Sequence, residues 1–186
     1  MNWTDPNGPY AGVTSENRGK VSAVSESLDR HLNHNDGKVW SVSIFDINPV
    51  GDNDYFFYFK NTGSVDVAFT GIQASCTTTT GRLYIKAVSG VPAYTASADI
   101  VPVSRNLGKS PTLDAIAKSD TDITGLTDDG VLGYMELSVV NSAYQLGGAS
   151  DAIIPQGKAV ALQWVAATGE VSASLSFMEL PSAGDL

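Results

Sequence analysis

This sequence predicts an all-β fold, an antiparallel β-sandwich of about eight strands in a jelly-roll-like arrangement, preceded by an extended N-terminal arm. Three observations carry that expectation. Several segments alternate apolar and polar side chains with the two-residue period of a half-buried strand. Gly, Pro, Asn and Asp punctuate them at short intervals, and no strand–helix–strand alternation runs through the chain. The composition agrees, because 18 Gly and 8 Pro among 186 residues, with abundant Ser, Thr and Val, favour strands and turns over helices. A chain of this length suits one domain, since it can bury roughly 70% of its unfolded surface. We therefore divide it into an arm, residues 1–19, and one β-sandwich domain, residues 20–186.

The arm holds Pro6, Gly8, Pro9, Gly12 and Gly19 with few apolar side chains, a composition that does not fold by itself. Trp3 and Tyr10 within it suit anchoring, either on a neighbouring molecule or back on the same domain. Asn2-Trp3-Thr4 matches a glycosylation sequon but has no secretory signal beside it. In residues 20–34 two periods compete: Val21, Val24, Leu28 and Leu32 repeat at helical spacing, while Val21, Ala23, Ser25 and Ser27 alternate. The Ser-rich composition favours an opening strand from Val21 that turns at Asp36-Gly37.

Residues 39–47 follow as a strand with Trp40, Val42 and Ile44 on one face, and residues 48–54 form a turn. Tyr55-Phe56-Phe57-Tyr58-Phe59 puts rings on both faces, so both must be covered; this strand belongs at the centre of the sheet. Residues 60–64 turn into a strand at 65–73, which reads as a hairpin with the preceding one. Another strand at 83–88 carries Leu83, Ile85 and Ala87 on one face and Tyr84, Lys86 and Val88 on the other. Residues 90–129 then form a long, polar excursion with short strands at 100–103 and near Ile123 and a turn of helix at 112–117. Residues 130–140 return to strand character with a bulge at Gly133, and Gly147-Gly148 leads toward the last pair. Residues 153–180 read as a closing hairpin that faces the aromatic strand. Its first strand, residues 158–165, is apolar at almost every position and includes Trp164; its second alternates Val171, Ala173, Leu175 and Phe177 with serines.

Composition excludes several functions. Eleven basic against twenty acidic residues give a net charge of −9, which repels nucleic acid and anionic lipid alike, so neither nucleic acid nor membrane is an expected partner. No run approaches the ~20 apolar residues of a membrane span, and the first residues lack a signal-peptide pattern. That pattern fits cytosolic synthesis or a mature chain whose signal has been removed. Cys76 is the one cysteine, so no internal disulfide forms and multi-cysteine zinc sites are excluded; it reads as a small buried hydrophobe. His31 and His34 can in principle ligate a metal, yet in a polar turn segment solvation is the plainer account. Asp52 and Asp54 depart from calcium-loop spacing, and Asp120, Asp122, Asp128 and Asp129 read as a solvated acidic excursion before a cation site. No catalytic, cofactor-binding or metal residues are assigned, and no cofactor is expected. Nucleophile elbow, zinc-protease and phosphate-loop motifs are all missing, which argues against an enzyme.

The segments Asp52-Asn53-Asp54-Tyr55-Phe56-Phe57-Tyr58-Phe59-Lys60-Asn61, Ile154-Pro155-Gln156-Gly157-Lys158-Ala159-Val160-Ala161-Leu162 and Ala166-Ala167-Thr168-Gly169, with the irregular middle and the final alternating strand, carry a resemblance. Over most of residues 38–180 the chain resembles the small jelly-roll decoration or cement proteins of tailed bacteriophage capsids. The resemblance implies a non-enzymatic virion protein, made in the bacterial host cytoplasm, that binds the major capsid protein from outside and stabilises the shell. It also implies a homo-oligomer, a trimer by preference, with the arm reaching a neighbour. The resemblance does not explain the acidic stretch 120–129. The alternative is a phage tail or receptor-binding module that recognises glycans, with Trp3, Trp40, Trp164 or Tyr84 as stacking platforms; Trp40 and Trp164, within apolar strands, read first as core.

Overall fold

The computed structural model describes residues 12–13, 19–20, 28–78, 80–109, 111–165 and 169–181. In chain order its elements are β1 (Gly12–Val13), β2 (Gly19–Lys20), α1 (Leu28–Asp36), β3 (Val39–Ile47), β4 (Asp54–Asn61), β5 (Val67–Cys76) and β6 (Gly81–Tyr94). They continue as β7 (Ala98–Asp99), β8 (Val103–Ser104), β9 (Ala115–Leu137), β10 (Tyr144–Ile154), β11 (Ala159–Val165) and β12 (Val171–Glu179). The molecule is an all-β sandwich. One sheet runs β10-β5-β12-β3-β8, the other β4-β11-β6-β9-β7, and β1 pairs with β2 apart from both. Of the expected arm, only the short β1 and the first residue of β2 fall among the described residues.

Eight longer strands pair in a nested order: β3 with β12, β4 with β11, β5 with β10, and β6 with β9. Outside the β6–β9 pair, each connection between consecutive long strands crosses from one sheet to the other. This corrects two expectations. Residues 153–180 are not a hairpin, because β11 and β12 lie in opposite sheets, and β4 and β5 are likewise not a hairpin. Side-chain alternation identifies a strand but not its partner, and β11, apolar on both faces, is stable only with neighbours on both edges and cover on both faces. Only the second strand of the expected hairpin faces the aromatic strand: Phe177 of β12 stacks on Phe59, centroids 4.0 Å apart with planes 11° from parallel, whereas β11 lies beside β4 in the same sheet.

The long irregular stretch expected at 90–129 is mostly strand. β6 extends to Tyr94, β9 begins at Ala115, no helix forms at 112–117, and the short strands sit at 98–99 and 103–104. The polar composition misled because β9 is exposed over much of its middle. The expected bulge near Gly133 is present: the register slips between its partner Ile85 and Lys86, which pairs with Val131. β10 contains Gly147 and Gly148 and still pairs along β5, with a register shift between Gly147 and Ala152.

The opening strand expected at 20–34 is instead helix over Leu28–Asp36; residues 21–27 lie outside the described set. The competing helical period wins here. Gly37 at φ 68 ends the helix, with Gly37 N–H donating to Asn33 O at 3.1 Å and Lys38 N–H to Leu32 O at 3.2 Å. That is a left-handed glycine stop, so Asp36-Gly37 terminates a helix and does not form a hairpin turn. Leu32 packs on Val39, Ala68 and Met178, covering one end of the outer face of the β3–β5–β12 sheet.

The main core lies between the sheets. Trp40, Phe57, Phe59, Phe69, Leu83, Leu162, Trp164, Leu175 and Phe177 are all buried in it, as is Cys76, whose thiol donates to Thr78 O at 3.1 Å. Buried Asn61 ties the turn after β4 to β10, donating to Val65 O at 2.8 Å and Ile154 O at 2.9 Å.

Candidate functional site: the outer face of the rolled sheet

The second sheet closes on itself. β11 pairs with β4 on one edge and β6 on the other; residues 115–123 of β9 take the remaining edge of β4, and the rest of β9 runs along β6. Ile123 is the hinge of this roll, partner to both Tyr55 and Tyr94. The far end of the β6–β9 pair thereby folds over the outer face of its own sheet. A second apolar cluster forms there from Tyr58, Val88, Ile123, Ala159 and Ala161, with Tyr55, Tyr94 and Leu126 against it. This explains the two-sided apolar pattern of β11 without a neighbouring subunit. Trp164 is buried in the main core and Ala159, Ala161 and Gln163 are buried on the opposite side, so both faces of β11 are covered within the chain.

The fold-over needs a sharp bend, and two glycines supply it. Gly90 at φ 95 and Gly125 at φ 74 face each other; a Cβ on Gly90 would come within 2.6 Å of Gly125 O, and one on Gly125 within 2.5 Å of Val91 O.

The acidic stretch is built into this roll. Asp120, almost fully buried, accepts N–H bonds from Thr95 (2.7 Å), Ala96 (2.9 Å) and Thr121 (2.7 Å). Burial alone would raise its carboxyl, but the backbone N–H groups of Ala96, Thr121, Thr95 and Asp122 together hold it below the ordinary value. Asp128 pairs with Lys86, whose hydrogen bond lowers the Asp128 carboxyl, and Asp129 accepts from Ser89 at 3.0 Å. Asp122 goes the other way, raised first by burial and then by Asp54 and Asp120. The stretch is thus part of strand β9 and not an irregular excursion; Asp120 is buried and bonded within it, while Asp128 and Asp129 stay exposed, and no group of three metal-ligating side chains occurs among the described residues.

Beyond the fold-over, the outer face stays open and carries a band of rings and charges. Arg82 stands opposite Glu136 and Tyr84 opposite Tyr134. Arg82 bonds Glu136 at 2.6 Å and donates to Tyr84 Oη at 3.1 Å. Its guanidinium carbon lies 6.0 Å and 5.8 Å from the centres of the Tyr84 and Tyr134 rings, which are themselves 6.0 Å apart. Lys86 continues the band between the Tyr84 and Tyr55 rings, at 5.7 Å and 5.9 Å. Burial raises the phenols of Tyr55 and Tyr58 and pushes Tyr94 up to about 12, so under the fold-over these groups are neutral at physiological pH.

At the end of the band, where β6 begins and β9 finishes, a cleft of about 400 Å³ is lined by Thr80, Gly81, Arg82, Glu136, Leu137, Ser138 and Val165. A second cavity, about 380 Å³, opens on the flank where the edges of β9 and β10 lie side by side, with Leu132, Ile153, Pro155 and Lys158 among its lining. Leu132 is 40% exposed, Ile153 47%, and Val131 and Tyr134 nearby more than half.

The residues singled out in the sequence scatter. Trp40 and Trp164 are core; Tyr84 alone of the stacking candidates reaches the surface band, and Trp3 and Tyr10 lie outside the described residues. His34 is exposed on α1, the side chain of His31 lies outside the described set, and Asp54 accepts from Gly51 N–H within its turn. Arg82, Tyr134 and Glu136 are not visible as a group in the sequence, although each sits on the polar face of an alternating strand. Only the pairing of strands some fifty residues apart brings them together. No family model, curated protein or solved structure matches the chain.

Proposed function

We propose that this chain is a non-enzymatic structural protein that binds the outer surface of a bacteriophage capsid and stabilises it. The observation that carries the reading is the flank between β9 and β10. β10 is an edge strand, β9 beyond Ile123 has no partner among the described residues on the side away from β6, and Leu132 and Ile153 flank a groove between them. Exposed apolar side chains beside open strand edges suit docking on another protein surface, where buried area supplies the affinity. The nested pairing of β3–β12, β4–β11, β5–β10 and β6–β9 supports a jelly-roll path for the chain. The attribution to a phage head rests on the resemblance of residues 38–180 to capsid decoration proteins, and the major capsid protein is the proposed partner.

Co-sedimentation of the purified chain with heads of the parent phage, followed by electron cryomicroscopy, tests this. A fixed stoichiometry with density on the outer shell is the expected result. The double substitution Leu132→Asp and Ile153→Asp, at exposed positions, should leave folding intact and remove binding. Density on the tail alone would overturn the proposal.

A further inference from the structure

We propose that the cleft at the end of the aromatic band is a binding site for a neutral sugar, a pyranose carrying adjacent hydroxyls. The inference stands apart from the capsid reading, since the cleft lies at Arg82 and Glu136 and shares no lining residue with the β9–β10 flank. Three features select the ligand. The two charges that line the cleft cancel, because Arg82 is already paired with Glu136 at 2.6 Å, so the site carries no net charge to favour a charged ligand over a neutral one. What remains is a set of donors beside an acceptor. Arg82 uses one N–H on Glu136 and one on Tyr84, leaving three of the five guanidinium hydrogens, and Glu136 keeps Oε2 free of any bond among the described residues. A vicinal diol matches that arrangement, one hydroxyl oxygen accepting from the guanidinium while its neighbour donates to the carboxylate; Thr80 and Ser138 add hydroxyls on the wall.

The third feature is shape. Val165 gives the cleft an apolar wall, and Gly81 lines it with the buried Trp164 ring packed directly against its α-carbon. Tyr134, more than half exposed and with its ring centre 5.8 Å from the Arg82 guanidinium carbon, offers a ring surface beside the cleft to the C–H side of a pyranose. A volume of about 400 Å³ falls within the range of small-ligand sites. Trp164, in contact distance of Gly81, is a built-in reporter.

The test is a titration of the full chain with D-glucose, D-galactose, D-mannose and N-acetyl-D-glucosamine, read by amide chemical shifts and tryptophan emission. Inorganic sulfate and N-acetylneuraminic acid serve as the anionic arm. Saturable shifts with at least one neutral sugar, confined to amides around 80–82 and 134–138, are expected. Arg82→Ala and Tyr134→Ala, both at exposed positions, should each weaken binding about tenfold or more, while Leu132→Asp should leave it unchanged. No saturable shift with any neutral sugar overturns the proposal. So does binding restricted to the anions, or binding that survives both substitutions.

Discussion

Gly81 shows how one atom can decide the sign of a substitution. In a strand, Gly→Ala would by itself stabilise by about 0.4–1 kcal/mol through the unfolded chain. Here the new Cβ would fall inside the contact shell of the Trp164 ring, which is fully buried and cannot retreat. Overpacking of that kind costs about 1–3 kcal/mol, so the steric effect wins. Gly81→Ala should therefore lower the urea midpoint, and an unchanged or raised midpoint would show that the ring has room. The carboxylates make a second residue-scale case, with opposite signs. Asp120 has a folded pKa below its unfolded value of about 3.8; its stabilising effect is complete above that value and disappears as pH falls through the folded pKa. Asp120→Asn should destabilise by about 1–3 kcal/mol at neutral pH by breaking its N–H bonds. Asp122 has a raised folded pKa, so its ionised form disfavours the fold at neutral pH and the penalty fades as pH drops through that pKa toward the unfolded value. Asp122→Asn should thus raise stability at pH 7 and converge on the parent in acid. Thermal melts of both variants from neutral pH to pH 3 check the pair. None of this was legible in the sequence, where the two aspartates sit two positions apart and look alike.

At the scale of elements, the roll depends on the fold-over of β6 and β9, and the fold-over depends on Gly90 and Gly125. Their positive φ values place them where a side chain strains the backbone, at about 1–3 kcal/mol per residue. The facing carbonyls add a clash on top. Gly125→Ala should speed amide exchange at residues 90–94 and 123–127 while β3 and β12 keep their protection. Equal loss of protection in β3 would show that the bend has no local identity. Much of the strand content was readable: β3, β4, β11 and β12 fall where alternation or dense apolar runs put them, because their side chains meet the core directly. The misses share one cause. β9 is exposed along its middle and β10 carries paired glycines, so neither shows a period. The helix at 28–36 had a period but lost to serine-rich propensity, and Leu32 docking on Val39 and Met178 decides it.

For the whole molecule, the decisive fact is that β4, β6 and β11 each feed two cores. Phe57, Phe59, Leu83, Val160 and Leu162 point between the sheets, while Tyr58, Val88, Ala159 and Ala161 point into the roll. The apolar run 158–165 announced this double burial, though the sequence could not say whether the second cover came from another subunit or from the same chain. With the cover intramolecular, neither core can open without exposing the strands that build the other, and the body of the roll has no independent unfolding step. Nested pairing strengthens the coupling, because β3 near the start of the sandwich is held by β12 at its end. Unfolding in urea should therefore be a single transition. Tryptophan emission reports the main core through Trp40 and Trp164, and tyrosine absorbance reports the roll through Tyr58 and Tyr94. The two signals should share one midpoint and one slope. Two separated midpoints would mean that the rolled sheet folds as its own unit, with the sandwich assembled on it afterwards.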